Sequence, residues 1–200
     1  MFPILPFSPV IFDVAACALL AAASALHARH ASSPCAGACA LGFLCGLTGP
    51  LIRAAFMGQA YLVLNTPLYS AVTFGGALAG AFLGRFFWTE GRCSSLLDAA
   101  GMQLMACAGV FIARCWPELS FWGGLLVAVV PVFIPGLIRD TTLGDTAAFA
   151  DEPAYATAPL VGALLTAVCL SLGHPPAAAI LIGWVIGFSV RALIIIRNNF

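Results

Sequence analysis

Apolar residues occupy the chain in seven long runs, with polar residues, prolines and charges gathered in the short stretches between them. The runs cover roughly 10–28, 35–57, 66–88, 97–115, 121–143, 155–173 and 176–196. A helix needs about 20 residues to cross the hydrocarbon core of a bilayer, and each run comes close to or exceeds that. The pattern therefore predicts an all-α membrane protein of seven transmembrane helices. The loops are short, so residues 1–200 are expected to form a single domain.

The fifth run departs from a plain apolar helix. Within it, Val130-Pro131-Val132-Phe133-Ile134-Pro135-Gly136-Leu137-Ile138-Arg139-Asp140 carries two prolines four residues apart, then a glycine, then an Arg-Asp pair. Proline removes a backbone donor and presses on the preceding turn, so this helix is expected to be broken. In lipid a break is tolerated where protein or a water-filled cavity satisfies the freed backbone groups. An arginine beside an aspartate at this depth points to a polar path. The alternative is a simple proline kink whose arginine snorkels to the interface.

The same pattern stands 86 positions earlier, at Thr48-Gly49-Pro50-Leu51-Ile52-Arg53-Ala54-Ala55-Phe56-Met57-Gly58. Leu51, Ile52, Arg53 and Gly58 match Leu137, Ile138, Arg139 and Gly144; Gly49-Pro50 answers Pro135-Gly136 in reverse order, and Ala54 replaces Asp140. The correspondence extends outward. Asp13 aligns with Asp98, Leu19 with Leu104, Arg29 with Arg114, Pro67 with Pro153, Tyr69 with Tyr155 and Gly76 with Gly162. Two repeats of three helices result, at about 10–88 and 97–173, with a seventh helix at about 176–196 outside them. Three is odd, so the second copy enters the membrane from the opposite side. Such inverted repeats place a translocation path at their interface near the midplane.

Composition agrees with the pattern. Of the 200 residues 62% are hydrophobic and 8% charged, where soluble proteins carry about 25% charged residues. The net charge is zero, which favours neither nucleic acid nor an acidic partner. All positive side chains are arginines. The eight cysteines form no Cys-x-x-Cys pair and read as small packing residues, so no metal site is expected. No Gly-x-Ser-x-Gly, phosphate loop or His-Glu-x-x-His occurs, so the chain is not expected to be an enzyme and no cofactor is expected. The segment before the first apolar run carries no positive charge, so it reads as the start of a span and not as a cleaved signal.

Arginine placement orients the chain. Arg29, Arg85, Arg92 and Arg197 fall on one side and Arg114 on the other, with Arg53 and Arg139 inside the membrane and Arg191 inside the last span. The arginine-rich side is the cytoplasmic one, which puts the N-terminus outside and the C-terminus inside. Asp13 and Arg53 then share the outer half, Asp98 and Arg139 the inner half, and each couple is expected to pair. Asp140 is an extra carboxylate of the inner site. The pairs serve either to hold the helices together or to gate. Asp145, Asp151 and Glu152 form a small acidic cluster in the loop after the fifth span. Small-residue stripes (Cys35, Cys39, Gly42, Gly46, Gly49; Gly76, Gly80, Gly84; Gly183, Gly187) mark close helix packing. Trp88, Trp116, Trp122 and Tyr155 fall near span ends, where interfacial aromatics belong.

Two three-span repeats with a seventh span, each repeat opening on an aspartate and carrying a glycine-bearing break before an arginine, resemble the prokaryotic trimeric intracellular cation (TRIC) channels. That family is also labelled as glycine transporters. Its hallmark is Gly-Gly-Gly-x-x-Arg-Asp in the second and fifth spans, aligned here with 48–54 and 134–140; Arg191 matches a recurrent arginine of the last span. Each triple glycine is reduced to one glycine with a proline, and the first aspartate is Ala54. The resemblance implies a monovalent cation channel for K⁺ or Na⁺ with one pore per protomer in a homotrimer. Its kinks would lie at Gly49, Pro50, Pro135 and Gly136 and its pore charges at Arg53, Arg139 and Asp140, supported by Asp13, Asp98 and Arg191. The expected setting is a bacterial cytoplasmic (inner) membrane, with membrane lipid, the permeant cation and the other protomers as partners and no nucleic acid. A small-solute carrier, such as one for glycine, and a closed vestigial channel remain as alternatives.

Overall fold

The computed structural model describes residues 7–84, 92–145 and 153–197, and every element among them is helical. In chain order these are α1 (Phe7–His30), α2 (Cys35–Phe56), α3 (Ala60–Asn65), α4 (Pro67–Leu83), α5 (Arg92–Arg114), α6 (Phe121–Leu143), α7 (Pro153–Ser171) and α8 (Pro176–Arg197). Five of them, α1, α2, α5, α6 and α8, are long and apolar enough to cross a membrane. α4 and α7 are shorter apolar helices, and residues 85–88 of the third expected span lie outside the described residues.

Two expectations need correction. The helices carrying Pro50, and Pro131 with Pro135, are not broken; α2 and α6 run without interruption through their prolines. A proline costs its helix one donor, and in an apolar surrounding no water competes for the remaining backbone bonds, so the helix continues across the gap. α3 was not expected either. Its six residues sit in the loop between the second and third spans.

Gly58 and Gly144 explain themselves here. Both take a left-handed backbone, with φ of 68° and 77°. The amide of Gln59 bonds the Ala54 carbonyl and that of Gly58 the Ala55 carbonyl; Asp145 bonds Asp140 and Gly144 bonds Thr141 in the same way. This pair of hydrogen bonds closes the last turn of a helix and favours glycine, which has no Cβ to clash in that conformation. The two arginine-bearing helices, α2 and α6, therefore end alike.

The core sits around α1 and α5. α1 packs on α2, α4 and α5, while α5 also packs on α6, α7 and α8. Small residues make the close approaches. A Cβ at Gly42 would stand 2.5 Å from the Ala21 carbonyl oxygen and one at Gly46 2.7 Å from that of Cys17, both on α1. Gly76 and Gly80 of α4 sit against the backbone of Ala18 and Ala22 on the same helix, and Gly183 of α8 sits against the Gly162 carbonyl of α7. The small-residue stripes thus serve packing within the chain. Large apolar side chains such as Leu44, Phe74, Leu126, Val185 and Leu193 lie on the outside. Charged groups held inside, with large apolar side chains on the outer face, is the distribution expected of a protein whose solvent is lipid.

Candidate functional site

The structure brings the site residues together as two buried charge clusters. In the first, Asp13 on α1 meets Arg53 on α2: Arg53 Nη2 donates to Asp13 Oδ2. The Tyr69 hydroxyl of α4 donates to the same oxygen at 2.7 Å. Asp13 is 0% exposed. Among the described residues neither its Oδ1 nor Arg53 Nη1 has a hydrogen-bond partner. Arg53 Nη1 lies beside Gly109 of α5, 3.2 Å from where a Cβ would stand.

The second cluster is larger. Asp98 on α5 accepts from Arg139 Nη1 on α6 at 2.9 Å and from Arg191 Nη2 on α8 at 3.1 Å, one arginine on each oxygen. Arg139 Nε also donates to Asp140 at 2.7 Å. Arg191 Nη1 donates to the Met102 sulfur at 2.8 Å, and its guanidinium stands 4.2 Å above the ring of Tyr155. All of these side chains are buried. Among the described residues two carboxylates and two guanidiniums balance in this cluster, and one of each in the first. That balance is what allows ionised groups to persist at low dielectric. Cation–π contact with an aromatic face adds to the hold on Arg191.

Both expected pairs, Asp13 with Arg53 and Asp98 with Arg139, are thus present, and Arg191 joins the second through Asp98. Gly49, Pro50, Pro135 and Gly136 are all buried, one turn before the arginine of their own helix, and α2 and α6 pack on each other along this stretch. Gly49 lies across from the Pro131 carbonyl, whose oxygen is 3.6 Å from the place of a Gly49 Cβ. Pro135 has no N–H to give that carbonyl, which its position in the helix would otherwise require.

Sequence reasoning missed the two tyrosines as members of the site. Tyr155 was expected at the interface, but it is 1% exposed, in contrast to Trp122 at 70%. Its ring buries against Phe133 and under Arg191, where a water-facing position would leave that cation bare. The signal was in the repeat, because Tyr69 and Tyr155 occupy equivalent positions and each contacts its own charge cluster. Of the acidic loop cluster, Asp145 lies 3.2 Å from His27 Nε2, and Asp151 and Glu152 lie outside the described residues. Among the described residues no group of three His, Cys, Asp or Glu side chains could hold a metal ion, and the cysteines are free thiols.

Residues 95–171 match the family described as Glycine transporter. No curated protein matches the sequence. Among solved structures the chain is similar to the TRIC trimeric intracellular cation channel orthologue from Rhodobacter sphaeroides, with a TM-score of 0.87 and 23% identity over 96% of this chain and 100% of that one. It is also similar to a prokaryotic TRIC channel crystallised in 0.5 M KCl, with a TM-score of 0.81 and 18% identity over 96% of this chain and 98% of the other. A third structure, described as the structural basis for conductance through TRIC cation channels, gives 0.78 and 21% over 98% and 95%. The chain resembles the TRIC channels over nearly its whole length and has their fold. The proteins it is similar to are channels, not enzymes.

Proposed function

We propose that this chain, folded as the trimeric intracellular cation channels are, forms a monovalent cation channel that passes K⁺ or Na⁺ with one pore per protomer in a homotrimer. The pore follows the α2–α6 interface between the two charge clusters. The observation that carries this reading is the Pro131 carbonyl, which Pro135 leaves without its helical donor and which faces Gly49 of α2. A freed carbonyl at a helix interface is an oxygen ligand for a cation that has shed its water. The arginines beside this route are each paired with a carboxylate, so a charge-balanced cluster borders it at either end. The trimer is carried over from the description of the similar R. sphaeroides structure.

In this reading α1, α2 and α4 form one three-helix repeat, α5, α6 and α7 an inverted second, and α8 stands outside both. α3, about 9 Å long at 1.5 Å per residue, is too short to cross. The N-terminus lies outside and the C-terminus in the cytoplasm, with the chain in a bacterial cytoplasmic membrane.

One observation favours a second reading. The family matched by residues 95–171 is described as a glycine transporter, and the same interface, with Asp140 to meet an ammonium group, suits a zwitterion. Purified protein in liposomes separates the two. K⁺ current that rises with concentration without saturating supports the channel, and saturable uptake of labelled glycine supports the carrier. Neither activity from correctly folded protein defeats both and leaves a closed pathway, the outcome that the glycines missing from each motif would explain.

A further inference from the structure

We infer that the route between α2 and α6 is shut at two separate points by two side-chain plugs, Met105 of α5 lodged at Gly49 and Tyr155 of α7 lodged at Gly136. This rests on the channel reading above and says where that channel is closed. Gly42, Gly76 and Gly80 make close approaches to the backbone of a neighbouring helix, which cannot move without moving the helix. Gly49 and Gly136 are different. What fills the space beside each is the far end of a long side chain from a third helix. At Gly49 it is the Met105 sulfur, with Cε 3.0 Å from the place of a Cβ; at Gly136 it is the Tyr155 hydroxyl, with Cζ at 3.1 Å. Met105 is 0% exposed and Tyr155 1%.

Their positions along the helices give the arrangement its meaning. Each glycine adjoins a helix proline and stands one turn before the buried arginine, Arg53 or Arg139. An ion moving between the clusters would meet both. Met105 also occupies the space bounded by the Pro131 carbonyl, so it covers the oxygen that a bare cation would use. A side-chain tip leaves such a notch by changing rotamer, with no helix displaced. Methionine, unbranched and flexible, is suited to this.

The two plugs are held by different forces. Met105 is retained by packing alone, within the apolar core cluster. Tyr155 is retained by the guanidinium over its ring, and that arginine is in turn tied to Asp98, which also holds Arg139. Among the described residues the buried Tyr155 hydroxyl has no hydrogen-bond partner. An unsatisfied hydroxyl is destabilising, so water or a passing cation beside Gly136 would draw it out. Release at Gly136 is therefore coupled to the charge network, and release at Gly49 is not.

The test is K⁺ flux into liposomes for the wild type, Met105→Ala, Tyr155→Ala, the double variant, and Arg191→Gln, with Leu193→Ala on the lipid face as control. Each alanine variant is expected to raise flux by about tenfold or more, the change given by roughly 1.4 kcal/mol in a closed–open balance. The double variant should exceed both, and Arg191→Gln should raise flux further in the Met105→Ala background. Should an alanine variant fail to fold, Met105→Leu and Tyr155→Phe are read in its place, each expected to give a smaller rise. A conducting wild type with plug variants indistinguishable from it overturns the plugs and leaves the channel standing. Silence from the wild type and from every folded variant overturns the channel reading, and the plugs with it.

Discussion

Arg53 and Arg139 occupy equivalent positions in the repeat, yet their surroundings make them energetically unlike. Among the described residues Arg53 has one carboxylate partner, Asp13, and Asp13 one cation. Arg139 shares Asp98 with Arg191 and holds Asp140 as well. Removing one member of a buried pair leaves a charge uncompensated, at a cost of about 3–5 kcal/mol. Arg53→Ala should therefore lower the thermal midpoint of the detergent-purified protein sharply, and adding Asp13→Ala should restore most of the loss. For the second cluster the same pairing of changes, Arg139→Ala with Asp98→Ala, should restore much less, because it also deprives Arg191 of Asp98. Equal recovery in the two double mutants would contradict the four-membered network. The arginines and aspartates themselves were legible from sequence, since a charge deep in an apolar run has to find a partner. Which arginine would share a carboxylate was not, because Asp98 and Arg191 are 93 positions apart and meet only when α8 packs on α5.

Among the elements, α4 shows how glycine placement fixes a helix contact. Gly75 and Gly80 lie on the same helix, but a Cβ at Gly75 meets nothing within 4 Å, while one at Gly80 would stand 2.8 Å from the Cα of Ala22 on α1. Overpacking a tight contact costs about 1–3 kcal/mol, and more where backbone is the obstacle. Gly80→Val should thus reduce the yield of monodisperse protein and its thermal midpoint, and Gly75→Val should leave both close to wild type. If both variants behave alike, α4 does not pack on α1 through this stripe. The apolar runs placed the helices, and the glycines marked faces that approach closely. A linear reading favoured packing within the chain over packing between protomers but could not supply the neighbour itself. It also overestimated proline, treating it as a break in α2 and α6 where each proline removes only one helical donor.

For the whole molecule, the proposed orientation rests on the seven spans expected from sequence and on the bias of Arg29, Arg85, Arg92 and Arg197 against Arg114. A fluorescent protein that matures only in the cytoplasm, fused after Phe200, should glow. A dark fusion joined to a periplasmic reporter signal at the same point would reverse the assignment. A six-residue helix such as α3 does not alter the parity, since it cannot reach across the bilayer.

Taken by itself, the sequence determined that this is a helical membrane protein, where its helices lie, that two of them are near-copies with an arginine after a proline, and which aspartates face those arginines. These follow from local facts: the length of apolar runs, the periodicity of small residues and the cost of charge in lipid. Only the tertiary structure decided that α2 and α6 stay continuous, that Tyr69 and Tyr155 belong to the charge clusters, and that Met105 and Tyr155 fill the spaces at Gly49 and Gly136. Those outcomes depend on which side chains far apart in the chain compete for one small volume. That competition is settled when the helices pack; the repeat spacing records only that Tyr69 and Tyr155 are equivalent, not what they touch.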